Sequence, residues 1–190
     1  MKQSLGARTL LYTAPVVVIG TYDRNGKANV MTAAWAGICC SSPPCVGVSL
    51  QKPRYTYGNI MERKAFTVNV PSEDHVTEAD FFGMVSGKDT DKFAASRLTP
   101  VRGTAVDAPY VEQFPVILEC RLLRTFEIGL HTQFVGEILD VKVDETVLGP
   151  DGRPEMARIR PFIYDTARQE YYAIGRSIGK AFSIGRDLKG

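Results

Sequence analysis

The sequence consists of short runs of β-branched and aromatic residues separated by turn signals, and this spacing favours an antiparallel β fold. The Asn25-Gly26 dipeptide predicts a hairpin turn after the first run, because both positions tolerate a positive φ. The strands do not alternate with long helices, so a doubly wound parallel sheet is not expected. The predicted strands are residues 14–22, 27–36, 45–50, 65–70, 116–127, 130–144, 159–164 and 171–174.

Helical signals are few and short. One helix is predicted over residues 54–63 and a second over residues 72–83, with Ser72 as its N-cap and Gly83 closing it. A third, shorter helix is predicted to begin near Asp89. The expected fold is therefore mainly β: an antiparallel barrel with a few short helices.

The 190 residues suit one domain, predicted over residues 1–174, followed by a C-terminal arm over residues 175–190. In the arm, glycine alternates with basic and apolar residues and no side of the segment presents a clear core face. Such a segment needs a partner surface to order it, so we expect the arm to contact a second subunit.

The charge balance excludes several partners. The chain has 23 Lys and Arg against 21 Asp and Glu, a net charge of +2, so no nucleic-acid or membrane partner is expected. No run of about 18 apolar residues predicts a transmembrane helix, and the N-terminus has no apolar segment typical of a secretory signal. We therefore expect a cytoplasmic protein.

The four cysteines are Cys39, Cys40, Cys45 and Cys120. No CxxC pair and no second cluster is present, and the two histidines are far apart, so no metal site is expected. The cysteines are interpreted as buried thiols in a reducing compartment, while a redox role for one of them stays open.

Residues 29–37 place small residues beside the only tryptophan. The side chains of Ala33 and Ala34 would let a flat ligand approach the backbone beside Trp35. The alternative is a barrel strand with Trp35 in the core.

Residues 49–56 place two cations among hydroxyl groups after a strand. Arg54 offers a forked pair of donors to phosphate oxygens, Lys52 a point charge, and Ser49 and Thr56 neutral donors. A helix that starts near Thr56 would add its N–H groups to an anion site. The alternative is a solvated basic loop.

Two further segments carry candidate residues. Ser86 and Gly87 would present hydroxyl and amide donors, whereas Lys92 is also compatible with a helix surface. His131 lies between strands, where a structural role is the common alternative to catalysis. No nucleophilic motif, no GxGxxG and no P-loop is present, so a hydrolase and a Rossmann or P-loop site are not expected.

Taken together, these segments resemble the flavin reductase-like family with the FMN-binding split-barrel fold. The resemblance covers residues 16–172, and it depends on the order and spacing of five runs. They are ANVMTAAW, SLQKPRYT, DFFG followed by SGK and DKF, GLHTQFVGE, and the terminal YYAIG.

The resemblance implies a split β-barrel of Greek-key topology with FMN as cofactor. It also implies a homodimer with each FMN near the subunit interface. The implied activity is that of an electron-transfer flavoprotein passing electrons to a redox partner protein. The alternatives are an NAD(P)H-dependent flavin or ferric reductase, which would make the chain an enzyme, and an FMN-binding module for sensing or storage.

The resemblance also assigns positions around the cofactor. The flavin would be lined by Asn29, Met31, Thr32, Ala33, Ala34 and Trp35. The phosphate and ribityl chain would be held in the run that contains Ser49, Leu50, Lys52, Arg54 and Thr56. The remaining positions are Asn69 on a strand facing the site, Ser86, Gly87 and Lys92 closing over it, and His131 near the open face of the ring.

Overall fold

The computed structural model describes residues 1–188, so the last two positions of the predicted arm, Lys189 and Gly190, lie outside the described residues. The described strands are β1 (Ala14–Pro15), β2 (Val17–Tyr22), β3 (Ala28–Ala33), β4 (Ala36–Ser41), β5 (Pro44–Gln51), β6 (Ala65–Val70), β7 (Pro100–Arg102), β8 (Pro109–Val111), β9 (Val116–Ile128), β10 (His131–Val143), β11 (Phe162–Asp165) and β12 (Glu170–Ala173). The helices are α1 (Tyr55–Arg63), α2 (Val76–Met84), α3 (Lys92–Ser96) and α4 (Met156–Ile159), with 3-10 turns at Glu73–His75, Glu145–Val147 and Arg186–Leu188. None of these helices has the length and apolar character that crossing a bilayer requires.

Seven strands form one antiparallel sheet in the order β3-β2-β6-β9-β10-β5-β4. The chain passes from β3 to β4 through two residues, Ala34 and Trp35, although these strands lie at opposite edges of the sheet. The sheet must therefore curl until its edges meet, yet β3 and β4 share no ladder among the described strand pairs. The result is a barrel with an open seam, and the prediction of a mainly β antiparallel fold with few short helices is confirmed.

Strand β2 explains how the barrel is filled, because it is buried on both faces. Val17 and Ile19 belong to the core cluster inside the barrel, whereas Val16 and Val18 belong to a second cluster that packs against the helices. Successive side chains of a strand point to opposite faces. The uninterrupted apolar run in the sequence is thus the consequence of two cores on either side of one strand.

The helices begin and end as the local sequence requires, with two differences from the prediction. Asp91 caps α3 by accepting a hydrogen bond from the backbone N–H of Ala94 at 3.1 Å. Ser72 precedes a 3-10 turn and makes no side-chain cap. Gly83 lies inside α2, which continues to Met84, so the expectation that this glycine closes the helix is wrong.

Two predicted strands have different bounds in the structure. The strand predicted over residues 27–36 ends at Ala33, because Ala33 pairs with the first residue of β2 and no ladder partner remains beyond it. The next residues form β4, which the sequence analysis did not separate. The strand predicted over residues 159–164 begins only at Phe162, because a left-handed Arg160 ends α4 immediately before Pro161.

The arm beyond residue 174 packs little of its apolar surface. The side chain of Ile178 is 87% exposed and that of Phe182 is 99% exposed. This agrees with the expectation that the arm lacks a core face in the single chain, while its role as a dimerisation arm stays a prediction.

Candidate functional site

A cleft runs along one end of the barrel, where β3 and β5 end and α1 begins. It consists of two adjoining pockets of about 180 Å³ and about 280 Å³ that share Met31, Gln51 and Arg54 as walls. We call the smaller pocket the strand end and the larger pocket the helix end. No Asp or Glu is among the described residues that line either pocket.

The strand end is assembled by two chain segments that are joined by a backbone hydrogen bond. The N–H of Ser49 on β5 donates to the carbonyl oxygen of Trp35 at 2.9 Å. This bond sets the bend after β3 against β5 and leaves the small Ala33 and Ala34 along the wall. His131 completes this end, because it pairs with Gln51 at the start of β10. The strand end is therefore a backbone-lined slot that suits a flat ligand.

The helix end is built around the start of α1. Arg54 occupies the N-cap position in an extended conformation, and no side chain caps the helix. The first N–H groups of the helix and its positive dipole end therefore face the region that Arg54 lines. No ion-pair partner of the Arg54 guanidinium is found among the side chains that the structure describes. These features together favour a bound anion.

Lys92 brings a second cation to the helix end. Its Nζ donates to the carbonyl oxygens of Val30 at 2.8 Å and Phe82 at 2.7 Å, and its side chain is buried. Burial, together with the positive charge of Arg54, lowers the pKa of Lys92 to about 8. An ammonium has three donors, so one remains for a ligand. An anion between Arg54 and Lys92 would offset both causes of the shift.

A buried oxygen atom without a hydrogen-bond partner indicates that a hydroxylated ligand fits the helix end. The Nδ2 of Asn29 donates to the hydroxyl of Thr56 at 2.9 Å, but its Oδ1 has no hydrogen-bond partner among the described residues. A Cβ placed on Gly87 would overlap with this Oδ1, so only glycine allows the close approach of the two chains. A buried acceptor without a partner is costly, and a ligand hydroxyl would satisfy it.

The structure brings most of the predicted site residues to this one cleft. Those that line it are Asn29, Met31, Thr32, Ala33, Ala34, Trp35, Ser49, Leu50, Arg54, Thr56, Ser86, Gly87, Lys92 and His131. Trp35 stands at the rim, with 38% of its surface exposed, so the alternative that it belongs to the core is wrong.

Two predicted residues lie outside the cleft. Asn69 is fully buried in the fold: its Nδ2 donates to the carbonyl of Val18 and the hydroxyl of Thr67 at 2.8 Å each, and its Oδ1 accepts from the N–H of Val111 at 2.9 Å. With every polar atom used, Asn69 ties three strands together, and the expectation that it faces the site is wrong.

Lys52 is the second exception. It lies in the turn after β5, more than half exposed, and its Nζ contacts a carboxylate oxygen of Glu127 at 2.8 Å. It lines a neighbouring groove and not the cleft, whereas Arg54 lines both. The expectation that Lys52 and Arg54 act together on a phosphate in the cleft is therefore not supported by their placement.

Several residues that line the helix end were not predicted from the sequence. Gln51, Pro53 and Tyr55 line the cleft, and they sit inside the run that already contains Arg54. The hydroxyl of Tyr55 donates to Asp23 at 2.9 Å, which fixes the β2–β3 hairpin against α1. This contact joins positions far apart in the sequence, so no local sequence pattern predicts it.

The arrangement defines a protein with a cleft for a flat, phosphorylated ligand at the open end of an antiparallel barrel. The flavin reductase-like domain matches residues 8–172. The chain belongs to the flavin reductase-like family. It is similar to the solved flavoredoxin of Desulfovibrio vulgaris (Miyazaki F), with 54% identity, 97% of this chain and 100% of that chain covered, and a TM-score of 0.94.

Two further structures support the fold, and the first of them also supports the family. The flavoredoxin of Methanosarcina acetivorans is 30% identical, with 99% of each chain covered and a TM-score of 0.92. A split-barrel protein of Shewanella frigidimarina is 24% identical, with 90% of this chain and 87% of that chain covered and a TM-score of 0.81. The likeness to the split-barrel protein shows the fold alone, and it confirms the split-barrel prediction.

Proposed function

We propose that the chain is an electron-transfer flavoprotein that holds FMN in this cleft and passes electrons to a redox partner protein. The observation that carries the proposal is the pair of cations at the helix end, Arg54 and Lys92, in a pocket lined by no carboxylate among the described residues. The phosphate of FMN carries close to two negative charges at neutral pH, and it would occupy the space that these cations line.

The remaining lining residues fit the other parts of FMN. Thr56, Ser86 and the orphan oxygen of Asn29 would hold the phosphate and the ribityl hydroxyls. Ala33, Ala34 and Trp35 would lie along the ring in the strand end. When bound, FMN supplies one- and two-electron redox chemistry, so the chain needs no nucleophile of its own.

Electron transfer between proteins is favoured over a reductase that uses a nicotinamide. The sequence contains no dinucleotide fingerprint, and two solved relatives that cover almost the whole chain are described as flavoredoxins. The alternative is an NAD(P)H-dependent flavin or ferric reductase that uses the same site. His131 favours this alternative, because it stands at the strand end where a second substrate would meet the ring.

The visible spectrum of the purified protein after reconstitution with FMN tests the proposal. We expect a yellow protein that retains one FMN per chain through gel filtration and accepts electrons from a low-potential donor. A protein that stays colourless after reconstitution would refute the proposal.

Anaerobic mixing with NADH or NADPH separates the two functions. For the electron carrier we expect no loss of flavin absorbance over minutes, although dithionite bleaches the same sample at once. Fast bleaching by NADPH or NADH that is slowed in His131→Ala would establish the reductase in its place. A flavin that dithionite reduces, but that exchanges electrons with no donor protein, would leave only a storage or sensing module.

The protein is also proposed to be a homodimer, and the exposed apolar side chains support this. Ile178 and Phe182 of the arm are exposed, as are Ile128 and Leu130 at the tip of the β9–β10 hairpin. Scattered exposed apolar residues are ordinary, but a segment with several of them and little core contact is typical of one that packs on a partner.

Deletion of residues 175–190 is expected to shift the dimer toward monomer, because the dimer would lose the surface that the arm buries against the second subunit. Size-exclusion chromatography with light scattering measures the change. Ile178→Ser combined with Phe182→Ser keeps the length of the arm and should produce the same shift. A truncated chain that elutes as the dimer would reject the role of the arm.

A further inference from the structure

Two cysteines face each other across neighbouring strands at a place remote from the cleft. Cys40 on β4 pairs in register with Cys45 on β5, next to the tight turn that connects these strands. Cys45 and Ser49, the nearest cleft residue on the same strand, lie four positions apart, which corresponds to about 13 Å. Both thiols are free. The pair therefore belongs to no part of the site described above.

The register gives this pair the spacing that a disulfide requires. Directly opposed residues of antiparallel strands have Cα atoms about 4.5–5.5 Å apart, and disulfides span Cα distances of about 4.4–6.8 Å. Cys39 has no such partner, because the pairing shifts between Ile38 and Cys40 and leaves Cys39 as the extra residue of a bulge. Of the two adjacent cysteines, Cys40 is thus the one with an in-register pairing to Cys45.

The two paired thiols also differ in exposure. Cys40 is exposed at the edge of the sheet, whereas Cys45 is buried. The interpretation of the cysteines as buried thiols is therefore wrong for Cys39 and Cys40. Burial raises the pKa of Cys45, and negative charge on Cys40, Cys39 and Glu137 would raise it further. A reagent from solution therefore meets Cys40 first, and Cys45 is placed to react only with the sulfur of its neighbour. In the described part of the chain these cysteines join no group of side chains that could hold a metal ion.

We propose that Cys40 and Cys45 form a reversible intramolecular disulfide when the protein meets a low-molecular-weight disulfide. The thiolate of Cys40 attacks one sulfur of that reagent, forming a mixed disulfide and releasing one thiolate. The thiolate of Cys45 then attacks Sγ of Cys40, forming the Cys40–Cys45 bond and releasing the second thiolate. Two protein thiols are oxidised, and one small disulfide is reduced to two thiols.

The position of Cys40 and Cys45 in the sheet indicates how a disulfide bond between them would affect the protein. The β4 strand is an edge of the sheet and is exposed along most of its length. A covalent tie to β5 would hold this edge in register and remove an exposed thiol from further oxidation. Because the cleft begins about 13 Å along β5, the bond would leave the bound flavin unperturbed.

Peptide mass spectrometry of the FMN-loaded protein tests the proposal, with oxidised glutathione as the probe. Residues 28–54 contain three cysteines and no internal tryptic site, apart from a Lys-Pro bond that trypsin does not cleave. After oxidation, unfolding in acid and alkylation, we expect this peptide to lose two hydrogens and to accept one alkyl group, on Cys39. Dithiothreitol should restore three alkylation sites.

Single variants decide which thiols are linked. Cys39→Ser should still lose two hydrogens and should then accept no alkyl group. Cys40→Ser should form no intramolecular bond, and Cys45→Ala should stop at the mixed disulfide between Cys40 and glutathione. Alanine is chosen at Cys45 because a small apolar residue suits a buried position. A mixed disulfide with glutathione that persists on Cys40 in the wild-type chain, or loss of two hydrogens in Cys40→Ser, would overturn the proposal. The flavin absorbance should be the same before and after oxidation.

Discussion

Replacement of Arg54 by alanine is expected to raise the dissociation constant for FMN about tenfold to a hundredfold. A charge-assisted hydrogen bond contributes roughly 1.5–3 kcal/mol, and 1.4 kcal/mol corresponds to a factor of ten. Arg54 has no ion-pair partner among the described side chains, so its charge is available to the phosphate. Quenching of FMN fluorescence on titration with protein freed of flavin measures the constant.

Lys52→Ala is the matched control for this prediction. The two cations are separated by a single residue in the sequence, but Lys52 contacts Glu127 and lines only the neighbouring groove, whereas Arg54 lines the cleft as well. We expect its removal to change the dissociation constant less than threefold, because an exposed ion pair contributes only about 0–1 kcal/mol. If Lys52→Ala loses as much affinity for FMN as Arg54→Ala, the phosphate lies in the neighbouring groove, and this result would contradict the proposed site.

The different placements of Lys52 and Arg54 show which part of the site could not be predicted from the sequence. The run from residue 49 to residue 56 predicts a phosphate site correctly in character, since it combines cations, hydroxyls and a helix start. It does not tell which cation faces the ligand, because Lys52 and Pro53 form a turn and the direction of each side chain depends on that turn. Only the contact with Glu127, which is distant in the sequence, removes Lys52 from the cleft.

Asn69 shows the same limit for a strand. Alternation places every second side chain of β6 on one face, but it does not say whether that face meets a cavity or another element. Here the face carrying Asn69 meets β8, whose Val111 N–H binds the amide oxygen. A buried amide with all its hydrogen bonds made is structural, and the partners that make it so come from β2 and β8.

The fold itself was predictable to a larger extent. Turn dipeptides and β-branched runs located most strands, and the low helix content excluded a doubly wound sheet. The bend at residues 34 and 35 was not predictable, because it arises where β2 offers β3 no further partner. That bend is what turns a barrel strand into one wall of the ligand slot.

Lys92 is expected to make the affinity for FMN depend on pH above neutrality. Without ligand the pKa of Lys92 is lowered to about 8, by burial first and then by the charge of Arg54. A phosphate dianion favours the protonated ammonium, so binding raises this pKa again. Affinity is therefore highest below pH 8 and falls as pH rises above it, by at most about tenfold per pH unit, because a proton must then be taken up.

Titrations between pH 7 and pH 9.5 with the wild type and with Lys92→Met measure this effect. The methionine variant should bind FMN about tenfold or more weakly at pH 7 and should lose the pH dependence, since it removes the titrating group but retains an unbranched side chain. Burial and Asp23 raise the pKa of Tyr55, so this neighbouring group should not titrate in the range. Lys52→Ala should show the same fall in affinity as the wild type. If Lys92→Met loses affinity with pH in parallel with the wild type, the dependence belongs to another group, and Lys92 does not contact the phosphate.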